Sequence, residues 1–150
     1  MDNEKETYYG EWWTAPASAD NGKLIMVTGR KDVEKFRKNT KYSIRVEISW
    51  KYEGDGSGMP LLKDSELMAD VTDRLQHAFK KDPVAVLTGI YTGDNERNWI
   101  FYTLSTHIFG RKINEALESL PLLPLEIKCV NDSDWKEYEE MNQLAVESDE

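Results

Sequence analysis

From residue 42 to residue 52 apolar and polar side chains alternate without a break. Ile44, Val46, Ile48, Trp50 and Tyr52 are set against Ser43, Arg45, Glu47, Ser49 and Lys51. That period of two marks a β-strand with one buried and one wet face. Downstream the period changes. Leu67, Met68, Val71, Leu75, Ala78 and Phe79 recur at helical spacing and predict a helix over 62–81. Asp64 and Glu66 at its start and Lys80 and Lys81 at its end suit the helix dipole, and Asp82-Pro83 stops it. Residues 84–91 and 98–104 read as strands around a Gly93-Asp94-Asn95 turn. Ser105 or Thr106 can cap a second helix over 107–120, with Phe109, Ile113, Ala116, Leu117 and Leu120 inward and Pro121 and Pro124 beyond its end. In a last strand over 125–130, Leu125, Ile127 and Cys129 alternate with Glu126 and Lys128, which makes Cys129 a small core residue.

Strand, helix, hairpin, helix, strand is the order of an α+β, ferredoxin-like βαββαβ fold, an antiparallel sheet with two helices on one face. An N-terminal β-hairpin region is expected ahead of it, from strands over 8–14 and 23–28 with Asn21-Gly22 in the turn, followed by a short helix over 32–39. A short C-terminal helix is expected after it, with 145–150 frayed. The chain then reads as a single domain, 1–150: an N-terminal strand region (8–41), a body (42–131) and an acidic C-terminal helix and tail (132–150). Trp99 and Phe101 on one face of their strand, and Ile100 and Tyr102 on the other, require cover on both sides of the sheet. The N-terminal segment is the candidate for the second cover.

Composition adds limits. Among 150 residues, 39% are hydrophobic and 31% charged, as in an ordinary globular domain. No apolar run approaches the roughly 20 residues of a membrane span, so no membrane role is expected. The polar, acidic start, Met1-Asp2-Asn3-Glu4-Lys5-Glu6, is not that of a signal peptide. Cys129 is the single cysteine, which excludes an intramolecular disulfide and suits a reducing compartment, hence the cytoplasm. The net charge of -9 is uneven: residues 131–150 hold eight acids and one base (-7), leaving -2 for the rest. That acidity argues against nucleic-acid binding, which Lys and Arg drive. A basic cluster (Arg30, Lys31, Lys35, Arg37, Lys38, Lys41, Arg45) keeps a local anion contact open.

Sites of chemistry are faint. The loop Glu53-Gly54-Asp55-Gly56-Ser57-Gly58 lacks the Lys-Ser/Thr pair of a phosphate-binding loop and carries acids that repel anions, so a flexible connector is the expectation. His77, beside Asp73 on the polar side of the first long helix, and His107, at the start of the second, have no partner at zinc-ligand spacing. No metal, no cofactor and no catalytic residue is assigned. Adjacent Trp12 and Trp13 point to opposite faces of a strand.

Gly58-Met59-Pro60, the strand Leu87-Thr88-Gly89-Ile90-Tyr91-Thr92-Gly93, Trp99-Ile100-Phe101-Tyr102 and, most distinctive, Asp132-Ser133-Asp134-Trp135-Lys136-Glu137-Tyr138 resemble domain of unknown function 695, over residues 8–141. The resemblance implies a small bacterial protein with an N-terminal strand region and a ferredoxin-like body. It supplies no activity and no catalytic residue. Related domains accompany an inhibitor of a bacterial ribonuclease, which implies protein binding.

Two functional expectations result. The first is a non-enzymatic domain, regulatory in character, that binds another protein. Its surfaces would be the acidic end around Asp132, Asp134, Trp135, Tyr138 and Glu139, or the basic segment around Lys35, Arg37 and Lys38; Trp135 and Tyr138, three apart, could instead pin the C-terminal helix to the sheet. The second is a small-molecule or hydrolytic site in a groove between the N-terminal segment and the sheet, built from Trp12 or Trp13, Arg45, Glu47 and Tyr102. Arg45 and Glu47 lie on the face away from the helices and, if covered, need partners. That same face is where a homodimer would form.

Overall fold

A computed structural model describes residues 10–148, with side chains through residue 145. Ten elements follow in chain order: β1 (Trp12–Ser18), β2 (Leu24–Arg30), α1 (Glu34–Lys38), β3 (Ile44–Lys51), α2 (Leu62–Ala78), β4 (Ala85–Gly93), β5 (Glu96–Thr103), α3 (Thr106–Leu117), β6 (Leu125–Asn131) and α4 (Lys136–Ser148). The strands form one six-stranded sheet, in the order β1-β2-β4-β5-β3-β6, antiparallel throughout.

This corrects the expected ferredoxin-like sheet of four strands with two helices on one face. The β1–β2 hairpin does not lie over the sheet. It extends it, because β4 offers an edge of main-chain donors and acceptors that β2 takes up, with Ile25 opposite Gly93 and Gly29 opposite Gly89. The second face is closed by α4 and α1, not by the N-terminal segment, so it is also not open to a second copy. Tyr8 and Tyr9, expected in the first strand, lie outside the described residues; α4 continues through the stretch expected to fray, and Asp149 and Glu150 lie outside the described residues too.

Two cores flank the sheet. On one face Met68, Val71 and Leu75 of α2 and Phe109 and Ile113 of α3 pack on Val46, Ile48, Trp50, Trp99 and Phe101. The strand alternation and both helical stripes converge here. Ser105 is the residue that caps α3, its hydroxyl accepting from the Ile108 amide at 3.2 Å. On the other face Trp135, Tyr138 and Met141 meet Val27, Val86, Ile100 and Tyr102. Gly89 makes that contact possible: a Cβ there would stand 2.6 Å from the Met141 sulfur. Gly29 likewise gives its space to the Trp13 ring. On the α2–α3 face the edge strand β6 is largely uncovered, and Cys129 is exposed rather than in the core.

Candidate functional site

Two places gather polar or ionisable groups from distant parts of the chain. The first lies between the sheet and α4. Asp132 stands at its centre. Its carboxylate accepts from Arg45 Nη1 and the Tyr102 hydroxyl, both at 2.7 Å, from the Lys136 amide at 2.8 Å and from the Glu137 amide at 3.2 Å. Arg45 Nε also donates to Glu47 at 2.7 Å. Tyr91 donates to Glu137, whose second oxygen is buried with no hydrogen-bond partner. The chain turns into α4 through Trp135, which sits at φ 54°, a left-handed conformation costly for an aromatic residue. The Trp135 ring compensates by stacking on Tyr102 at 4.1 Å and donating its indole N–H to the Tyr42 carbonyl at 2.8 Å.

The electrostatics agree with a closed cluster. Burial alone would raise the Asp132 carboxyl, but its hydrogen bonds, led by the Lys136 amide, Tyr102 and Arg45, hold it below the usual range. Burial also opposes the Arg45 charge, but its bonds to Asp132 and Glu47 outweigh that and raise its pKa. Burial raises Glu137, and burial with the Glu137 charge raises Tyr91. Asp132, Tyr102 and Tyr91 are engaged in docking α4, Glu47 is paired with Arg45, and one oxygen of Glu137 has no hydrogen-bond partner.

The second place is a cleft of about 420 Å³ at the end of the sheet, where β2 and α1 meet the last turn of α2 and the start of β4. Its lining is apolar: Phe36, Phe79 and Pro83 nearer the surface, over the more deeply buried Leu75, Leu87 and Phe101. Its rim holds three cations, Arg30, Lys35 and Lys80, and one acid, Asp32. Arg30 bonds Asp32 at 2.9 Å and stacks on Trp12 at 5.6 Å. Burial tends to raise the Asp32 carboxyl, but Arg30 and the Glu11 amide bring it below its ordinary value. Gln76, 7% exposed, reaches the cleft and has a buried carbonyl oxygen without a partner.

The expected site residues are redistributed accordingly. Arg45, Glu47 and Tyr102 do meet, around Asp132, but beneath α4 and without a groove. Trp135 and Tyr138 are 1% and 2% exposed and pin α4, so they present no aromatic surface. Asp134 is exposed. Glu139 pairs with Arg37, which joins the acidic and basic candidate surfaces to each other. Trp12 and Trp13 do face opposite sides, Trp12 toward the α2–α3 core and Trp13 toward the α4 core. The Gly-rich loop is ordered by Asp55, whose Oδ1 takes the Ser57 and Met59 amides that a phosphate would need. Among the described residues no cluster of three or more His, Cys, Asp or Glu could hold a metal ion, and no helix is long and apolar enough to cross a membrane. Sequence reading missed the cleft because its lining comes from β2, α1, α2, β4 and β5; Arg30 and Lys35 stand in the basic cluster and Leu75, Phe79 and Lys80 in the helix pattern, but nothing local joins them.

Searches of curated proteins and of solved structures find no match to this chain. The model of a family described as a family of unknown function, DUF695, matches residues 11–141, and the chain belongs to that family.

Proposed function

From membership in a family without an assigned activity, we propose that this domain is a non-enzymatic binding module that takes a segment of another protein into the cleft between α1 and α2. The carrying observation is the pairing of an apolar lining with a cation-rich rim in a chain of net charge -9. An acidic segment with one large apolar anchor is the complementary ligand: the anchor rests against Phe36, Phe79 and Pro83, and the carboxylates meet Lys35 and Lys80. Asp132 and Tyr102 are spent on holding α4, which favours binding over turnover. A reducing, cytoplasmic setting suits the exposed Cys129.

The volume supports a second reading, since about 420 Å³ lies in the range of small-molecule pockets. The ligand would then be a compact amphipathic anion.

The test is capture from the native host by the tagged full chain, with nuclease treatment, beside a Lys35→Glu/Lys80→Glu variant. A stoichiometric partner held by the wild type and lost by the variant, at unchanged melting temperature, is expected. Retention by the variant, with loss instead on reversing Asp134 and Glu139, moves the site to α4 and overturns the proposal. No capture, with a thermal shift by small organic anions that the variant lacks, selects the second reading.

A further inference from the structure

The two edges of the sheet are not alike. The outer strand at one end, β1, carries Pro16, which cannot donate to a further strand. The outer strand at the other end, β6, has no proline, and among the described residues nothing pairs with its outer side. The Asp132 amide bonds the Ser43 carbonyl at 2.9 Å, so the even positions of β6 turn their main-chain groups toward β3. By alternation Leu125, Ile127 and Cys129 turn theirs outward. Ile127, at 50% exposed, and Cys129 also stand on the apolar face, opposite Ile48 and Val46 of β3.

We propose that this edge pairs with β6 of a second copy, antiparallel about a two-fold axis at Ile127, to give one continuous sheet across a homodimer. The register follows from charge. With Ile127 facing the partner copy's Ile127, Glu126 faces Lys128 and Lys128 faces Glu126, while Leu125 faces Cys129. Both members of the Ile127 and Leu125–Cys129 pairs are outward-turned, as an antiparallel ladder requires. A shift by two in one direction sets Glu126 against Glu126; in the other it sets Lys128 against Lys128. Like charges directly opposed are unfavourable, so the self-complementary register excludes its neighbours. The contact is isologous, as closed two-fold assemblies are. It extends the apolar stripe of β6 across the axis and uses no residue that lines the cleft.

The experiment is sedimentation equilibrium of the full chain in reductant over a concentration series. The wild type is expected to approach twice the monomer mass. Lys128→Glu, which turns both cross-strand attractions into repulsions, should weaken the dimer about tenfold or more. Glu126→Lys/Lys128→Glu, which restores complementarity with the signs exchanged, should recover it. Ile127→Pro removes an outward amide, leaves the β3 ladder whole and should give a monomer with the wild-type circular dichroism. A wild type that stays monomeric throughout, a Lys128→Glu protein that associates like the wild type, or a double variant no better than the single one would each overturn the pairing.

Discussion

The two faces of the sheet are closed by different means. The α2–α3 face is a volume problem: Phe79, Phe101 and Phe109 meet in a ring cluster with centroids 5.1 to 5.6 Å apart, and its polar contacts include the Trp99 indole N–H donating to Thr72 and the Tyr52 hydroxyl donating to the Gly58 carbonyl, both at 2.8 Å. The α4 face is a pairing problem. Its aromatic lid of Trp135 and Tyr138 is fastened through Asp132, Arg45 and Tyr102, and through Tyr138, whose hydroxyl donates to the Arg30 carbonyl. An apolar face loses stability in proportion to what is cut away, whereas a paired polar face loses it when a partner changes, even without a change of volume.

Removing a whole ring does not separate the faces and gives the largest effect. Trp135→Ala and Phe109→Ala should each cost about 3–5 kcal/mol, the range for large aromatic truncations, read by urea denaturation. Melting of Trp135→Ala at the wild-type temperature would mean that α4 contributes nothing to the fold.

Changes of shape against changes of pairing do separate them. Asp132→Asn keeps volume but strips the charge from a carboxylate that serves Arg45, Tyr102 and two amides. It should cost about 3 kcal/mol, because a largely buried Arg45 loses one of its two counter-ions and keeps only Glu47. Phe109→Leu keeps apolar character and should cost less than about 1.5 kcal/mol. If the leucine variant proves the less stable of the two, the contrast between the faces fails. Gly89→Ala comes next: one methyl against the Met141 sulfur overpacks the α4 face by about 1–3 kcal/mol, measurable as a lower denaturation midpoint. A neutral result there would show that Met141 has another rotamer to use.

The same contrast explains what could be read from the chain. The α2–α3 face was legible because period 2 in β3 and period 3.6 in α2 and α3 are local signals, each written within one element. Val46, Ile48, Val71, Leu75, Phe109 and Ile113 are all where those periods place them. The α4 face was only half legible. Ile100 and Tyr102 announced a second core, and the Asp132…Trp135…Tyr138 spacing announced something tied to it, but which segment closed the sheet depended on pairings such as Asp132 with Arg45, 87 residues apart. The hairpin was found and misplaced for the same reason: no local pattern says whether a strand lies over a sheet or joins its edge. Cys129 followed the core alternation, yet lies on an edge strand that the helices do not reach.

The smallest effect is a slope with pH. Glu137 titrates above its ordinary range in the fold because burial opposes its charge, with Tyr91 only partly offsetting this. A carboxyl whose folded pKa is raised binds its proton more tightly folded than unfolded, so it favours the fold below the unfolded pKa and loses that contribution as pH rises through the folded one. Asp132, held low, acts oppositely: its contribution is present above the unfolded pKa and is lost as pH falls toward the folded one. Glu137 therefore makes the protein more stable on mild acidification from neutrality, before Asp132 begins to protonate and reverses the trend. Glu137→Gln, which keeps an acceptor for Tyr91 but no longer titrates, should flatten the first limb and leave the second. Denaturation midpoints at steps from neutral to acid pH would show it. An unchanged first limb would assign that slope to other carboxylates and leave Glu137 as a spectator beneath α4. A lost second limb would mean that Glu137 and Asp132 titrate as one coupled pair, and that the polar face responds to pH as a single unit.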